Sequence, residues 1–297
     1  ATRDDIVGIT AAMMRPVGLG PMHEAYPGRV IDVGIAEAEA VASAAGMAYQ
    51  GAHPVVALYA TFLNRGFDQL LMDVALHRAG VTVVLDRAGV TGADGASHNG
   101  VWDIAMCSMI PGLRLAAPRD EETLRARLRE ALDVDDAPTV IRYRKGSLPE
   151  PMPALRSVGG VDILFDEAVA DSSARVLIVG TGACAPDAIE AARRLSADGV
   201  SVTVADPQWM IPVCPELATL ARDYDCVVSV EDGIVQGGFG WSLRDAVAET
   251  GVPVRCLGVP QGFPEHGDRA AMIAQFGFDA DGIERAAREL IERIGNR

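Results

Sequence analysis

Aromatic residues are scarce in this chain: they make up only 5% of its 297 residues, although 49% of the residues are hydrophobic. Alanine, valine, leucine and isoleucine must therefore fill most of the core. Small aliphatic residues are typical of parallel β-sheets that helices cover on both faces. The chain is also too long for one ordinary domain, and its length fits two.

Positive charge is scarce as well, because 26 lysine and arginine residues face 41 aspartate and glutamate residues, for a formal net charge of −15. This acidic balance argues against nucleic acid or an anionic membrane as a partner. No apolar run has the length that spans a bilayer, and the first residues do not resemble a signal peptide. The five cysteines contain no C-x-x-C pair, which argues against a disulfide framework or zinc site and favours a cytoplasmic protein with reduced thiols.

β-rich runs alternate with helical runs along the whole chain, and the alternation predicts α/β domains with largely parallel sheets flanked by helices. The predicted strands are residues 6–10, 30–35, 54–59, 81–86, 113–117, 139–143, 175–180, 200–206, 225–232 and 252–258. The predicted helices are residues 36–50, 62–79, 120–133, 185–199, 215–224, 238–250 and 281–294. We expect a first domain at residues 1–147, a Pro- and Gly-rich linker at 148–160 and a second domain at 161–297.

Polar side chains follow several predicted strands of the first domain. In open α/β sheets, ligands bind beyond the carboxyl ends of the strands. The residues at those positions are Glu37, Tyr59, Phe62, Arg65, Arg87, Asp94, His98, Arg142 and Arg144, and a glycine-rich loop at 89–100 carries two of them. One glutamate, one histidine and several arginines on one rim suit proton transfer on an anionic substrate.

Each of these residues also has a structural explanation. Glu37 could be an acid that the dipole stabilises in the first turn of a helix. His98 could be a hydrogen-bonded structural histidine, and Arg87 could simply pair with Asp86 or Asp94. Their clustering at successive strand ends, and no single residue, favours a functional site.

The second predicted domain contains a partial dinucleotide fingerprint, in which Gly180 and Gly182 stand between a strand and a helix. The third glycine of the fingerprint is missing, and only Asp206 could serve as the acid after the next strand. Partial matches of this kind are mostly structural, so we do not favour a nicotinamide site.

Eight runs of the chain resemble 1-deoxy-D-xylulose-5-phosphate synthases of actinobacterial type. They are DVGIAE (32–37), VVALYATFLNRGFDQ (55–69), DRAGVTGADGASHNG (86–100), APRDEETLR (117–125), VIRYRKG (140–146), VADPQWMIPV (204–213), VEDGIVQGGFG (230–240) and LGVPQGFPEHG (257–267). The resemblance covers nearly the whole chain. It implies a domain that binds the pyrimidine of thiamine diphosphate, followed by a C-terminal domain of the transketolase type.

The resemblance also implies an activity and residue roles. The enzyme would decarboxylate pyruvate and transfer the two-carbon unit to an aldehyde such as glyceraldehyde 3-phosphate. Glu37 would hydrogen-bond the aminopyrimidine ring and so assist deprotonation of the thiazolium carbon. The remaining implied roles are catalysis for His98, cofactor binding for Ile35, Phe62 and Arg65, and substrate binding for Tyr59, Arg87, Asp94 and Arg142, with the two arginines on the phosphate.

The chain departs from the pattern of that family at several positions. Ala38 and Glu39 replace a glutamine and a histidine, Arg144 and Lys145 replace a proline and an arginine, and Phe239 and Trp241 add bulk. These departures keep open a split thiamine-diphosphate-dependent acyl or ketol transferase of specialised metabolism with another acceptor. The β subunit of a 2-oxo-acid dehydrogenase decarboxylase and a non-catalytic homologue also stay open as hypotheses.

The family's magnesium motif, G-D-G followed by an asparagine, does not occur in the sequence. An acidic chain without that metal repels the diphosphate of the cofactor. We therefore expect no metal ligands on this chain. Either an N-terminal half that carries Mg2+ and the diphosphate has been removed, or, as we favour, that half is a separate subunit. The expected assembly is a heterotetramer with that subunit or, at minimum, a homodimer.

Overall fold

The computed structural model describes residues 3–296, which form two six-stranded sheets with helices packed on them. Residues 1, 2 and 297, at the outer ends of the two predicted domains, lie outside the described residues. The prediction of two largely parallel sheets flanked by helices is confirmed.

The first sheet is parallel throughout and has the strand order β2-β1-β3-β4-β6-β5. Its strands are Ile6–Thr10 (β1), Val30–Asp32 (β2), His53–Tyr59 (β3), Thr82–Asp86 (β4), Arg114–Ala116 (β5) and Thr139–Arg142 (β6). Its helices are Gly20–Ala25 (α1), Glu37–Ala48 (α2), Phe67–Gln69 (α3), Asp103–Ser108 (α4) and Glu121–Leu132 (α5).

The second sheet has the order β12-β11-β9-β10-β8-β7, in which β8 is antiparallel to both of its neighbours and all other pairs are parallel. Its strands are Arg156–Val158 (β7), Val161–Glu167 (β8), Arg175–Gly180 (β9), Ser201–Pro207 (β10), Cys226–Ile234 (β11) and Val254–Val259 (β12). Its helices are Ala185–Ala197 (α6), Pro215–Ala221 (α7), Phe239–Ala246 (α8), Arg269–Phe276 (α9) and Ala280–Gly295 (α10).

Small residues explain how the helices approach the sheets so closely. The buried face of α2 consists of Ala40, Val41, Ala44 and Ala45 together with Glu37. α6 buries four alanines against the second sheet in the same way. Because alanine side chains are short, the helix axes can lie near the strands, and the low aromatic content follows from this packing.

Two predicted segments differ from the structure. The helix predicted at 62–79 is broken into a 3-10 segment at Ala60–Arg65, the short α3 and a π-helical segment at Leu70–Ala75. Gly66 lies at the first break, where a Cβ would stand 2.9 Å from Val41 Cγ2. Glycine is a poor helix former, and it allows this close approach to α2.

The segment predicted as a linker contains the edge strand β7. A two-residue turn, Gly159–Gly160, joins β7 to the antiparallel β8, and both glycines have positive φ. Such a turn matches the twist of a hairpin. All three residues of β7 are exposed, so the strand has no alternation of apolar and polar residues that could have revealed it.

The helices between residues 3 and 296 include none with both the length and the apolarity needed to cross a membrane.

Candidate active site

The first sheet has its topological switch point at β1, which pairs with β2 on one side and β3 on the other. Ligands of open α/β sheets bind outside the carboxyl ends of the strands at such a point. The loops that follow β1 and β3 lie on either side of this point, and the loop that follows β2 is at the same edge of the sheet. Glu37 begins α2 after the β2 loop, and Phe62 lies in the loop after β3.

Glu37 combines burial with an unused carboxylate. Glu37 is only 4% exposed, yet its carboxylate makes no hydrogen bond within residues 3–296. Glu39, by contrast, points to solvent, as expected for two residues about 200° apart around a helix. Ile35 is 80% exposed beside this buried acid. A buried carboxyl and an uncovered aliphatic side chain fit a ligand that is apolar on one face and offers a donor or a shared proton.

Aromatic rings connect the loop after β3 with the glycine-rich loop. The rings of Tyr59 and Phe62 stack with centroids 6.0 Å apart, and His98 meets Phe62 edge-on at 5.6 Å. The Thr61 hydroxyl donates to the Ser97 carbonyl over 2.9 Å, which ties the same two loops together. His98 Nδ1 lies 2.9 Å from the Ser97 hydroxyl. Three of the predicted residues, Tyr59, Phe62 and His98, are thus brought together.

A charged group continues this cluster. The Arg87 guanidinium carbon lies 4.1 Å from the centre of the Tyr59 ring, and Arg87 Nη1 donates to Asp94 over 3.3 Å. Lys145 Nζ donates to the other oxygen of Asp94 over 2.7 Å. The hydrogen bond from Lys145 lowers the pKa of Asp94, so this carboxylate stays ionised. Two cations therefore converge at this rim, and guanidinium and ammonium groups are the usual partners of an anionic substrate.

Lys145 has no assigned role in the predicted site, although it stands where the family pattern has an arginine. That departure from the pattern was the signal that could have marked it. Arg65 is exposed at the end of the 3-10 segment after β3, near the start of α3.

Arg142 lies apart from this cluster. Its guanidinium donates to both oxygens of Asp103, over 2.7 and 3.2 Å, and to the Asp232 carbonyl over 2.8 Å. Together with Arg144 it lines a cavity of about 220 Å³ between the strand ends of the two sheets, whose walls do not include Arg87, Asp94 or His98. Its substrate contact stays a prediction, and its visible partner is Asp103.

The partial fingerprint of the second sheet has a structural explanation. A Cβ on Gly180 would lie 2.6 Å from Ala188 Cβ, so this glycine lets α6 pack on the strand. Asp206 accepts from Arg119 over 3.0 Å and is buried. Its carboxylate is therefore engaged inside the protein.

The residues that could hold a cofactor lie at the carboxyl edge of the first sheet. No group of three or more His, Cys, Asp or Glu side chains between residues 3 and 296 could hold a metal ion. Glu37, Ile35 and Phe62 fit the aminopyrimidine end of thiamine diphosphate, as described above.

Comparisons with known proteins agree with this geometry. Residues 1–151 match the family described as transketolase, pyrimidine binding domain, and residues 167–283 match transketolase, C-terminal domain. The chain is 53% identical over 293 residues to 1-deoxy-D-xylulose-5-phosphate synthase 2 of Kitasatospora griseola, covering 97% of this chain and 46% of that protein. It is 52% identical over 297 residues to the enzyme of the same name from Streptomyces coelicolor, covering 99% and 46%.

A solved structure extends the likeness to the whole fold. A split gene transketolase, described as an inactive beta4 tetramer, has a TM-score of 0.82 and 27% identity, over 97% of this chain and 92% of that one. The chain spans about half the length of the curated relatives it matches. The chain belongs to the transketolase family, and it carries that family's pyrimidine-binding and C-terminal domains.

Proposed function

We propose that this chain is the pyrimidine-binding component of a thiamine-diphosphate-dependent transferase of the 1-deoxy-D-xylulose-5-phosphate synthase kind. The enzyme would decarboxylate pyruvate and transfer the two-carbon unit to glyceraldehyde 3-phosphate. The proposal is supported by the names of relatives at about 50% identity and by the site at the carboxyl edge of the first sheet.

The observation that carries the proposal is the buried, unpartnered Glu37 at the switch point. A carboxyl in this position accepts a proton from, or shares one with, a ring nitrogen of an aminopyrimidine. Phe62 presents an aromatic face to the ring, and Ile35 supplies an apolar support. Thiamine diphosphate, when bound, supplies the electron sink that decarboxylation of a 2-oxo acid requires.

The residues on the other side of Phe62 would handle the substrate. Arg87 and Lys145 attract the phosphate of the acceptor, because both cations already converge on the carboxylate of Asp94. His98 stands on the glycine-rich loop next to Phe62, where it can exchange a proton with a carbonyl or hydroxyl oxygen of the substrate. Tyr59 orients Arg87 through its ring.

A second protein unit would supply the remainder of the site. We propose that it binds the diphosphate and Mg2+ and assembles with this chain, as a heterotetramer. The solved relative described as a split gene transketolase is consistent with such a division.

Co-purification of the tagged chain from its native host tests both parts of the proposal. Native mass spectrometry of the eluate should show this chain with a diphosphate-binding partner. With thiamine diphosphate, Mg2+, pyruvate and glyceraldehyde 3-phosphate, that complex should release CO2 and form a pentulose phosphate. Turnover only with other aldehydes would favour a specialised transferase, and acetylation of a lipoyl domain would favour a dehydrogenase component.

A further inference from the structure

The glycine-rich loop of the first sheet, residues 89–100, rests on a buried carboxylate of the second sheet. Asp232 is 2% exposed and lies in β11 where pairing with β12 shifts between Val230 and Ile234. Irregularities of this kind redirect side chains next to functional sites. Asp232 Oδ1 accepts a hydrogen bond from the backbone N–H of Val90 over 2.9 Å.

A cation fixes the direction of this carboxylate. Arg269, the first residue of α9, donates through Nη2 to Asp232 Oδ2 over 2.5 Å. The carbonyl of Asp232 meanwhile accepts from Arg142, which is bound to Asp103. Arg142 thus fixes the backbone of Asp232 and Arg269 fixes its side chain, independently of the hydrogen bond from Val90.

The loop makes two further contacts with the second half of the chain. The N–H of Gly267 donates to the Gly92 carbonyl over 3.3 Å, and Asn99 Nδ2 donates to the Pro264 carbonyl over 3.3 Å. Asn99 also closes the loop on itself, because its Oδ1 accepts from the N–H of Thr91 over 2.8 Å. These contacts hold the two ends of the loop against the segment between β12 and α9.

Two of the four glycines of the loop, Gly89 and Gly92, are explained by this contact. A Cβ on Gly89 would lie 2.1 to 2.4 Å from the carboxylate of Asp232, and one on Gly92 would lie 2.7 Å from the Gly267 carbonyl. Both glycines have positive φ, at 80° and 72°. These two glycines therefore allow the loop to pack closely against the second half of the chain.

We infer that Asp232 is a positioning residue for the substrate side of the site and acts through the N–H of Val90. Asp94 and His98 lie on the loop that Asp232 holds, and Arg87 precedes it. The second sheet thereby sets where these three side chains stand. The substrate roles of Asp94 and His98 rest on the proposed function, whereas the effect of Asp232 on the loop is a property of this chain alone.

Hydrogen exchange on the chain itself tests the inference without any cofactor. In Asp232→Ala, amide exchange of residues 89–100 should rise at least about tenfold, because a buried hydrogen-bonded group is lost. Asp232→Asn keeps an acceptor for Val90 and should restore most of the protection. Asp225→Ala is the control for loss of an aspartate that accepts a backbone N–H, since the exposed Asp225 accepts the N–H of Arg175 over 2.7 Å just before β11 begins.

The control should leave exchange of residues 89–100 unchanged. Arg269→Gln keeps Asp232 but removes the cation that orients it, and it should give a smaller rise confined to the same loop. Should Asp232→Ala not fold, Arg269→Gln decides the matter. Unchanged exchange of the loop in Asp232→Ala or, if that variant does not fold, in Arg269→Gln would overturn the positioning role, as would an equal rise across both sheets.

The active complex gives a second readout. Asp232→Ala should raise KM for the phosphorylated acceptor about tenfold or more and change kcat less, and Asp232→Asn should recover much of the loss. An unchanged KM for the phosphorylated acceptor would contradict the assignment to the substrate side. If the wild-type complex has no such activity, the proposed function fails while the exchange experiment still decides the role of Asp232.

Discussion

Arg142 and Asp103 form an ion pair from which water is almost excluded: Arg142 Nε donates to the Asp103 carboxylate over 2.7 Å, and the two side chains are 5% and 0% exposed. Asp103 opens α4, and Arg142 ends β6. The pair joins a helix to the strand beside it, and its Arg142 member also holds the carbonyl of Asp232.

Removing one partner of this pair should destabilise the fold strongly. Asp103→Asn leaves a buried guanidinium without its counter-charge, which costs about 3–5 kcal/mol of unfolding free energy. Urea denaturation measures this change. The control is Asp136→Asn, because Asp136 pairs with Arg78 over 2.7 Å with side chains 68% and 75% exposed. That exposed pair should contribute at most about 1 kcal/mol. Equal losses of unfolding free energy in Asp103→Asn and Asp136→Asn would contradict the strong contribution of the buried pair.

Lys145 should determine affinity for anions. It is the only lysine of the chain, so reductive methylation with 13C-formaldehyde before assembly labels one side chain besides the amino terminus. Because its ammonium lies 2.7 Å from Asp94, glyceraldehyde 3-phosphate bound to the active complex should shift that resonance, whereas unphosphorylated glyceraldehyde should not.

Substitution tests the same residue by kinetics. In the active complex, Lys145→Gln should raise KM for the phosphorylated acceptor about tenfold with a smaller change in kcat. Arg125→Gln removes an exposed cation of α5 and serves as the control. An unchanged KM in Lys145→Gln would exclude a phosphate contact.

Burial of Glu231 should make stability fall as pH rises. Burial raises the pKa of Glu231 to about 7, although its carboxyl accepts hydrogen bonds from the N–H groups of Phe239 and Gly240. The folded protein therefore binds this proton more tightly than the unfolded chain does. The resulting stability is complete below the ordinary carboxyl range, declines as pH approaches about 7 and then stays level.

Glu231→Gln removes this titration. The stability of the wild type relative to the variant should fall by roughly 3 kcal/mol between pH 4.5 and 8. Denaturation at several pH values gives the curve, and Glu249→Gln, at an exposed position, should leave it unchanged. A difference that rises with pH would show that the folded carboxyl is more acidic than the unfolded one.

The core strands were predictable because each is a run of β-branched and aliphatic residues bounded by turns. IVGIT and RVLIVG match β1 and β9 residue for residue. The edge strand β7 was not predictable, since its exposed residues carry no apolar pattern. The break in the predicted helix at Gly66 was not predictable either. Gly66 packs closely against Val41 of another helix, and the local sequence does not show that contact.

The site was predictable to the level of strand ends, because parallel strands bring their carboxyl ends to one edge. The direction of each side chain was not predictable. Arg142 stands at such an end, yet its partner Asp103 lies 39 residues away in sequence, and only the packing of α4 brings the two together. The support that Asp232 gives to the glycine-rich loop comes from 142 residues away and has no local signal.

The role of Glu37 is tested most directly by turnover of the complex that this chain forms with its diphosphate-binding partner. With thiamine diphosphate, Mg2+, pyruvate and glyceraldehyde 3-phosphate, Glu37→Gln should lower kcat at least about a hundredfold, since a proton-transfer group is lost. Glu39→Gln, the exposed acid of the same helix, should keep wild-type turnover. Unchanged turnover in Glu37→Gln, or tight cofactor binding by the isolated chain without metal, would contradict the account.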